Sequence, residues 1–462
     1  MSGADNGFAF ATISELAAAI RSGRTTPTQL AMDAIDRLES EGRQLNAVVT
    51  VTRDLALAQA KTAESDLAAG QDRGPLHGIP YGVKDLLATK GYSTTWGAEP
   101  YRDRIIDVDA DIVARLESAG AVLVAKLASV EFAGGFGYEQ PNAALTGPGR
   151  NAWNPQHWSG GSSSGSGAAV AAGLVPFAIG TETWGSITTP ACFNGVVGIR
   201  PTYGRVSRRG AMALSWSMDK IGPIARSVDD GSIVLDAIVD TDGGNSTQAP
   251  MSRTRNFRFA VLHGSTKSAQ AAVVSNFEDA VAVLRSIGNV DTIVLPEFPY
   301  AAAASIIILA ESASAFESFL DAGGSAELTA PEDRYSLLPA LTLPAVDYLR
   351  AVRIRRLAGR ALDDALAPYD AVVAPTLPVV AGPIDATFGS YFGSSVRPTL
   401  GAAGNLCGLP AVTVPNGVGE HGLPTGIEFI GRAFNDDRVI AAARAYQSQT
   451  DWHTKHPDRL RR

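Results

Sequence analysis

The chain has 462 residues, 45% of them apolar, with 47 Gly and 26 Pro dispersed along it, a composition that describes a compact folded protein rich in turns and excludes a disordered or fibrous one. With 39 basic against 47 acidic residues the formal charge is −8, so no extended cationic face is expected to neutralise the phosphates of a nucleic acid. Two cysteines, Cys192 and Cys407, are too few for a disulfide scaffold or a zinc site; with no basic start before an apolar N-terminal core and no run of eighteen apolar residues, the expected location is the cytoplasm, away from membranes.

Apolar residues recur at helical spacing over 12–40 (Leu16, Ile20, then Leu30, Ala34, Ile35, Leu38). A turn interrupts them, and in it Thr26 and Pro27 mark a second helix start, so a helical hairpin is predicted. Strand character over 45–51 precedes a helix over 54–69. Residues 79–83 read as a short buried strand that delivers Lys84 at its end. A lysine between Val83 and Leu86 either snorkels to water or sits in a dry site with a lowered pKa, where it can act as a base. Residues 109–128 form one α/β unit, a helix, a stop at Gly120 and a strand over 122–125, and 131–156 is loop.

Past Ser186 the pattern gives a strand over 196–199, turns, and a helix over 228–238. The polar break "DTDGGNSTQAP" is the best internal boundary. Strand, helix over 269–287 and strand then make a βαβ unit with parallel pairing. Residues 300–345 open on an alanine-rich helix and read as a lid or substrate-facing insertion. A helix over 347–367, a buried strand in "DAVVAPTLP" and two closing strands complete the chain. Arg350, Arg353, Arg355, Arg356 and Arg360 fall at helical spacing and read as a solvated or ion-paired face.

The chemistry concentrates in "GGSSSGSGAAVAAGLVPFAIGTETWGS", residues 160–186. Its start has the composition of a flexible linker, but it runs without a break into small residues suited to a helix packed against neighbouring backbone, and a glycine-rich turn there can bring hydroxyls and unpaired N–H groups to a ligand. Histidine is scarce and makes no zinc-type pair, and no dinucleotide or phosphate-loop fingerprint is present. "GSSSG" matches the G-x-S-x-G elbow with Ser163 as nucleophile, but no strand precedes it. A serine nucleophile without histidine needs another base, and neutral lysine is one.

The segments "PLHGIPYGVKD", "GGSSSGSGAAVAAG", "GTETWGSITTPACFNGVVGIRPTYGRVSR", "DKIGPIARSVDD", "NLCGLPAVTVP" and "GLPTGIEFIGRAF" together resemble the amidase signature family of Ser–Ser–Lys hydrolases, in the family's order from about residue 12 to 450. The resemblance implies one α/β domain over 1–462 with a mixed, largely parallel central sheet sandwiched by helices. It also implies Lys84 as base, Ser162 after a cis peptide bond as relay, and Ser186 as nucleophile, 24 residues beyond Ser162. The N–H groups of Thr183, Trp184, Gly185 and Ser186 would hold the oxyanion. No metal or organic cofactor is implied.

Two departures stand out. The family's usual "GTDTGGS" is "GTETWGS" here, with Glu182 and Trp184, and Thr188 and Thr189 stand where some relatives carry an arginine that binds a substrate carboxylate. These departures favour a stand-alone hydrolase, monomeric or homodimeric, of small neutral or aryl amides, with carbamates (urethanase activity) included, and Phe136, Trp184 and Thr189 lining its pocket. The alternatives are the A-type subunit of a glutamine-dependent aminoacyl-tRNA amidotransferase and an inactive scaffold of the same fold.

Overall fold

The computed structural model describes residues 7–239, 256–392 and 399–457. The predicted boundary over 240–250 lies outside them. In chain order the strands are β1 (Val48–Val51), β2 (Pro80–Lys84), β3 (Val122–Leu127), β4 (Phe177–Glu182), β5 (Val197–Arg200), β6 (Lys220–Ala225), β7 (Phe257–Leu262), β8 (Gly288–Ile293), β9 (Ala371–Pro375), β10 (Ala411–Val418) and β11 (Pro424–Ile430). They form one sheet in the order β1-β3-β2-β4-β6-β5-β10-β11-β9-β7-β8. The fold is α/β with a mixed sheet between helices, as the resemblance implies. Parallel pairing is confined to two blocks, β3-β2-β4 and β9-β7-β8. Between them the centre from β4 to β9 is antiparallel throughout.

Alternate strand residues point to opposite faces. Phe177, Ile179, Val373, Val412 and Phe429 enter one core that runs along the sheet from β3 to β8. Ala178 and Ile224 enter a second core, and Val372, Ala374 and Ala411 a third, on the other face. The hairpin predicted at the N-terminus is α1 (Ile13–Arg21) and α2 (Pro27–Arg37), each capped by a threonine whose hydroxyl accepts from a backbone N–H in the first turn, as expected of Thr at that position. In chain order follow α3 (Arg53–Ala68), α4 (Asp111–Ser118), α5 (Ser164–Ala171), α6 (Thr188–Asn194), α7 (Val228–Ile238), α8 (Ala271–Ile287), α9 (Tyr300–Ala315), α10 (Glu317–Asp321), α11 (Ala345–Leu366), α12 (Phe388–Phe392), α13 (Thr399–Leu406) and α14 (Asp436–Gln447). Helices α4, α7, α8 and α14 cover the first core, α3, α5 and α6 the second, and α9, α11 and α13 the third.

The helix α5 is buried along its whole length. Its composition makes that possible. A Cβ at Gly165 would lie 2.3 Å from the carbonyl oxygen of Ala47 and 2.4 Å from the nitrogen of Ala128, so no larger residue lets this helix seat against the loops beside β1 and β3. Residues 300–345 form α9, α10 and short 3-10 turns. Phe316 and Phe319 close on Phe132 at 4.8 and 4.9 Å between ring centroids, and the buried Glu131 carboxylate accepts from the N–H groups of Thr329 and Ala330 at 3.0 and 3.1 Å. Among the described residues no helix is long and apolar enough to cross a membrane.

Candidate active site

Lys84 is the last residue of β2 and is fully buried. Its Nζ donates to Ser162 Oγ at 2.7 Å and to Thr181 Oγ1 at 2.9 Å. Burial lowers its pKa to about 7, against the opposing pull of Asp219 and Glu182. Lys126, equally buried on the neighbouring strand, has a different set of partners. It makes an ion pair with Asp85 at 2.9 Å and bonds three further acceptors, Leu87 O, Ser93 O and Thr94 Oγ1, a carboxylate and three oxygens that favour the cation against the burial that lowers its pKa. The partners of Lys84 are hydroxyls, which accept from an ammonium and equally donate to a free amine. That environment suits a base.

Ser162 lies in the turn before α5, after a cis Gly161–Ser162 peptide bond. Its carbonyl accepts from Val130 N–H at 3.1 Å, which ties the turn to the segment after β3. Ser163, the elbow candidate, is engaged in structure: its hydroxyl donates to Thr181 O at 3.2 Å and accepts from Thr181 N–H at 3.3 Å. Ser163 N–H donates to the carbonyl of Ser186 at 3.3 Å, so the two serine-bearing turns are joined directly. Ser186 itself closes the loop between β4 and α6 and is 8% exposed. Among the described residues no hydrogen bond engages the N–H groups of Thr183, Trp184, Gly185 or Ser186, leaving four donors free for a ligand.

The two departures in this loop have structural explanations. Glu182 is fully buried, and its Oε2 accepts from the N–H groups of Ile187 and Thr188 at 2.8 and 3.0 Å while its Oε1 accepts from Arg200 Nη1 at 2.8 Å. Burial works to raise its pKa, but Arg200, Lys220 and these bonds win and hold it at about 2. It is a fixed anion that pins the turn after Ser186. Trp184 does not need the left-handed backbone that a glycine would permit; Gly185 takes it, with φ 84°. The Trp184 indole packs, half-buried, at the edge of the third core.

Of the expected pocket residues, Phe136 needs correction. Its ring is fully buried between Phe132, Phe316 and Phe319, at 4.7, 5.3 and 5.8 Å, and presents no surface to a ligand, because the 300–345 segment covers it. Thr189 N–H donates to Gly185 O at 2.8 Å and closes the turn. Three residues beside the loop escaped sequence reasoning: Thr181, Asp219 and Lys220. Asp219 Oδ1 accepts from Thr183 Oγ1 at 2.5 Å, and its Oδ2 from Leu214 and Ser215 N–H at 2.9 and 3.0 Å. Burial raises its pKa to about 6. With Leu86, Met212 and Leu214 these residues line a cavity of about 190 Å³. Among the described residues no group of three or more His, Cys, Asp or Glu could hold a metal ion.

The Amidase family model matches residues 29–440. The A subunit of glutamyl-tRNA(Gln) amidotransferase from Roseiflexus sp. (strain RS-1) is 37% identical over 484 residues, covering 97% of this chain and 98% of that protein. Its counterpart from Geobacillus kaustophilus is 33% identical over 96% and 98%. Among solved structures, the peptide amidase of Stenotrophomonas maltophilia superposes with a TM-score of 0.84 at 32% identity over 96% and 97% of the two chains. The corresponding A subunit of the Thermotoga maritima amidotransferase gives 0.77 at 28% over 97% and 97%. These relatives correct the expectation of a stand-alone hydrolase of neutral or aryl amides and carbamates, and favour its alternative. That expectation leaned on Glu182, Trp184 and the missing arginine; the first two are accommodated by the turn's own packing and say nothing of the substrate. The chain belongs to the amidase family of enzymes, which act on amide C–N bonds.

Proposed function

We propose that this chain hydrolyses the side-chain amide of glutamine, as the A-type subunit of a glutamine-dependent amidotransferase. The observation that carries the reading is the end-to-end relationship, 37% identity over 97% of the chain, to subunits of that kind. In this reading Lys84, neutral at work, accepts the proton of Ser162 as Ser162 accepts that of Ser186. Ser186 Oγ bonds the amide carbon, the C–N bond breaks, and ammonia leaves with the returned proton. Water then cleaves the γ-glutamyl ester to glutamate. The N–H groups of residues 183–186 hold the oxyanion, each such donor being worth about 2.7–4 kcal/mol of barrier.

Partner proteins and an aminoacyl-tRNA would then replace the small-molecule-only reading. The −8 net charge supports a division of labour in which partner subunits hold the RNA. The test measures ammonia and glutamate released from glutamine by the purified chain, alone and with the remaining subunits of such an amidotransferase and misacylated tRNA. Turnover that disappears in Ser186→Ala is expected. Hydrolysis of a chromogenic anilide with none of glutamine under any of these conditions would overturn the proposal.

A further inference from the structure

Lys220 opens β6 opposite Glu182 on β4. It is 2% exposed, and its Nζ donates to the carbonyl oxygen of Thr183 at 3.1 Å and to Asn405 Oδ1 at 3.0 Å. Neither acceptor carries a charge. The carboxylate facing it across the strands, Glu182, is committed to Arg200 at 2.8 Å, and Asp219 is committed to Thr183 and the 214–215 turn. Burial among acceptors that carry no charge lowers its pKa to about 7, and a buried polar head without a counter-charge is costly to keep. Its target gives the reason to keep it.

The carbonyl of Thr183 and the N–H of Trp184 belong to one planar trans peptide unit, in which the two groups point in opposite directions. A grip on the oxygen from the β6 side therefore aims the Trp184 N–H away from β6. A donor on the oxygen also draws electrons through the amide and strengthens the N–H as a donor. Asp219, the preceding residue, holds the Thr183 side chain, so the peptide unit is fixed at both its oxygen and its side chain. We propose that Lys220 is a positioning residue of the acyl-transfer site, which fixes and polarises the Trp184 N–H as an oxyanion donor through the Thr183 carbonyl.

The inference rests on Ser186 being the nucleophile, as proposed above, but not on glutamine being the substrate. The probe is therefore a fluorophosphonate, whose phosphoryl oxygen takes the oxyanion position when Ser186 attacks. In Lys220→Met the second-order rate of phosphonylation is expected to fall 10- to 100-fold, short of the loss of a whole oxyanion donor at about 10²–10³. Amide turnover should lose a similar factor in kcat with KM changed less than threefold. Lys220→Gln, which keeps an uncharged N–H donor, should recover part of both. In the wild type labelled with ¹⁵N-tryptophan, the Trp184 amide proton, assigned by its absence in Trp184→Phe, should move downfield on phosphonylation, and this holds whether or not the Lys220 variants fold. Unchanged phosphonylation in a folded Lys220→Met, or a Trp184 amide that does not move, overturns the inference alone. A wild type that is not labelled at Ser186 overturns the underlying reading instead.

Discussion

With Lys84 as the proposed base, its pKa sets a measurable limit on turnover. An ordinary lysine at 10.5 is neutral in roughly one molecule in three thousand at pH 7, whereas a value of about 7 makes it neutral in about half. Burial at the end of β2 thus supplies about three orders of magnitude in competent enzyme, before any orientation by Ser162 and Thr181. The sign follows from the base being the unprotonated form: kcat/KM should rise with pH, about tenfold from pH 6 to pH 8, with a slope near one below pH 7 and a plateau above 8. The assay is initial ammonia release from glutamine at limiting substrate between pH 5 and 9, in buffers of constant ionic strength. A burst or isotope measurement should establish that chemistry limits the rate. A flat profile with chemistry limiting, or a midpoint near 10, would refute the assignment of Lys84 as base.

The same shift has a stability counterpart. Between pH 7 and 10.5 the unfolded chain binds the lysine's proton and the folded chain does not, so Lys84 destabilises the fold fully below about 7 and not at all above 10.5; Lys84→Met should raise the Tm at pH 7 while abolishing turnover. A serine-directed fluorophosphonate should label the wild type at Ser186 and leave Ser186→Ala unlabelled, as peptide mass mapping would show. Glu182→Gln leaves the fully buried Arg200 without its 2.8 Å partner and should cost about 3–5 kcal/mol in denaturant unfolding. Asp363→Ala breaks an exposed pair with Arg432 at 2.6 Å and should cost less than about 1 kcal/mol.

Much of the scaffold could be read from periodicity. The helix over 228–238 is α7 to the residue, and the strand that delivers Lys84 differs from β2 by one position. The failures have identifiable physical causes. The strand β6 contains Gly222 and Pro223 in its middle and pairs all the same, Pro223 opposite Ile179. Both residues argue against a strand in sequence, and so Lys220 and Asp219 were hidden with it. Glu182 looked like a change in the reactive loop because its partner, Arg200, lies on a strand two places away across the sheet. Phe136 looked available because nothing in its own segment reveals that Phe316 and Phe319, almost two hundred residues on, pack over it. Contacts across the sheet and between distant segments are what local pattern does not carry.

The position of β10 between β5 and β11 also sets when the enzyme can exist. Lys84, Ser162, Ser186, Asp219 and Lys220 all precede residue 226, yet Arg200 is oriented by the carbonyl of Leu409 at 3.0 Å, and Lys220 by Asn405. While a ribosome is still making the chain, every candidate catalytic side chain has emerged before the segment that sets the loop around Ser186. A nascent chain halted at residue 398 should therefore be inert, and amide-cleaving capacity should arrive only with the last strands.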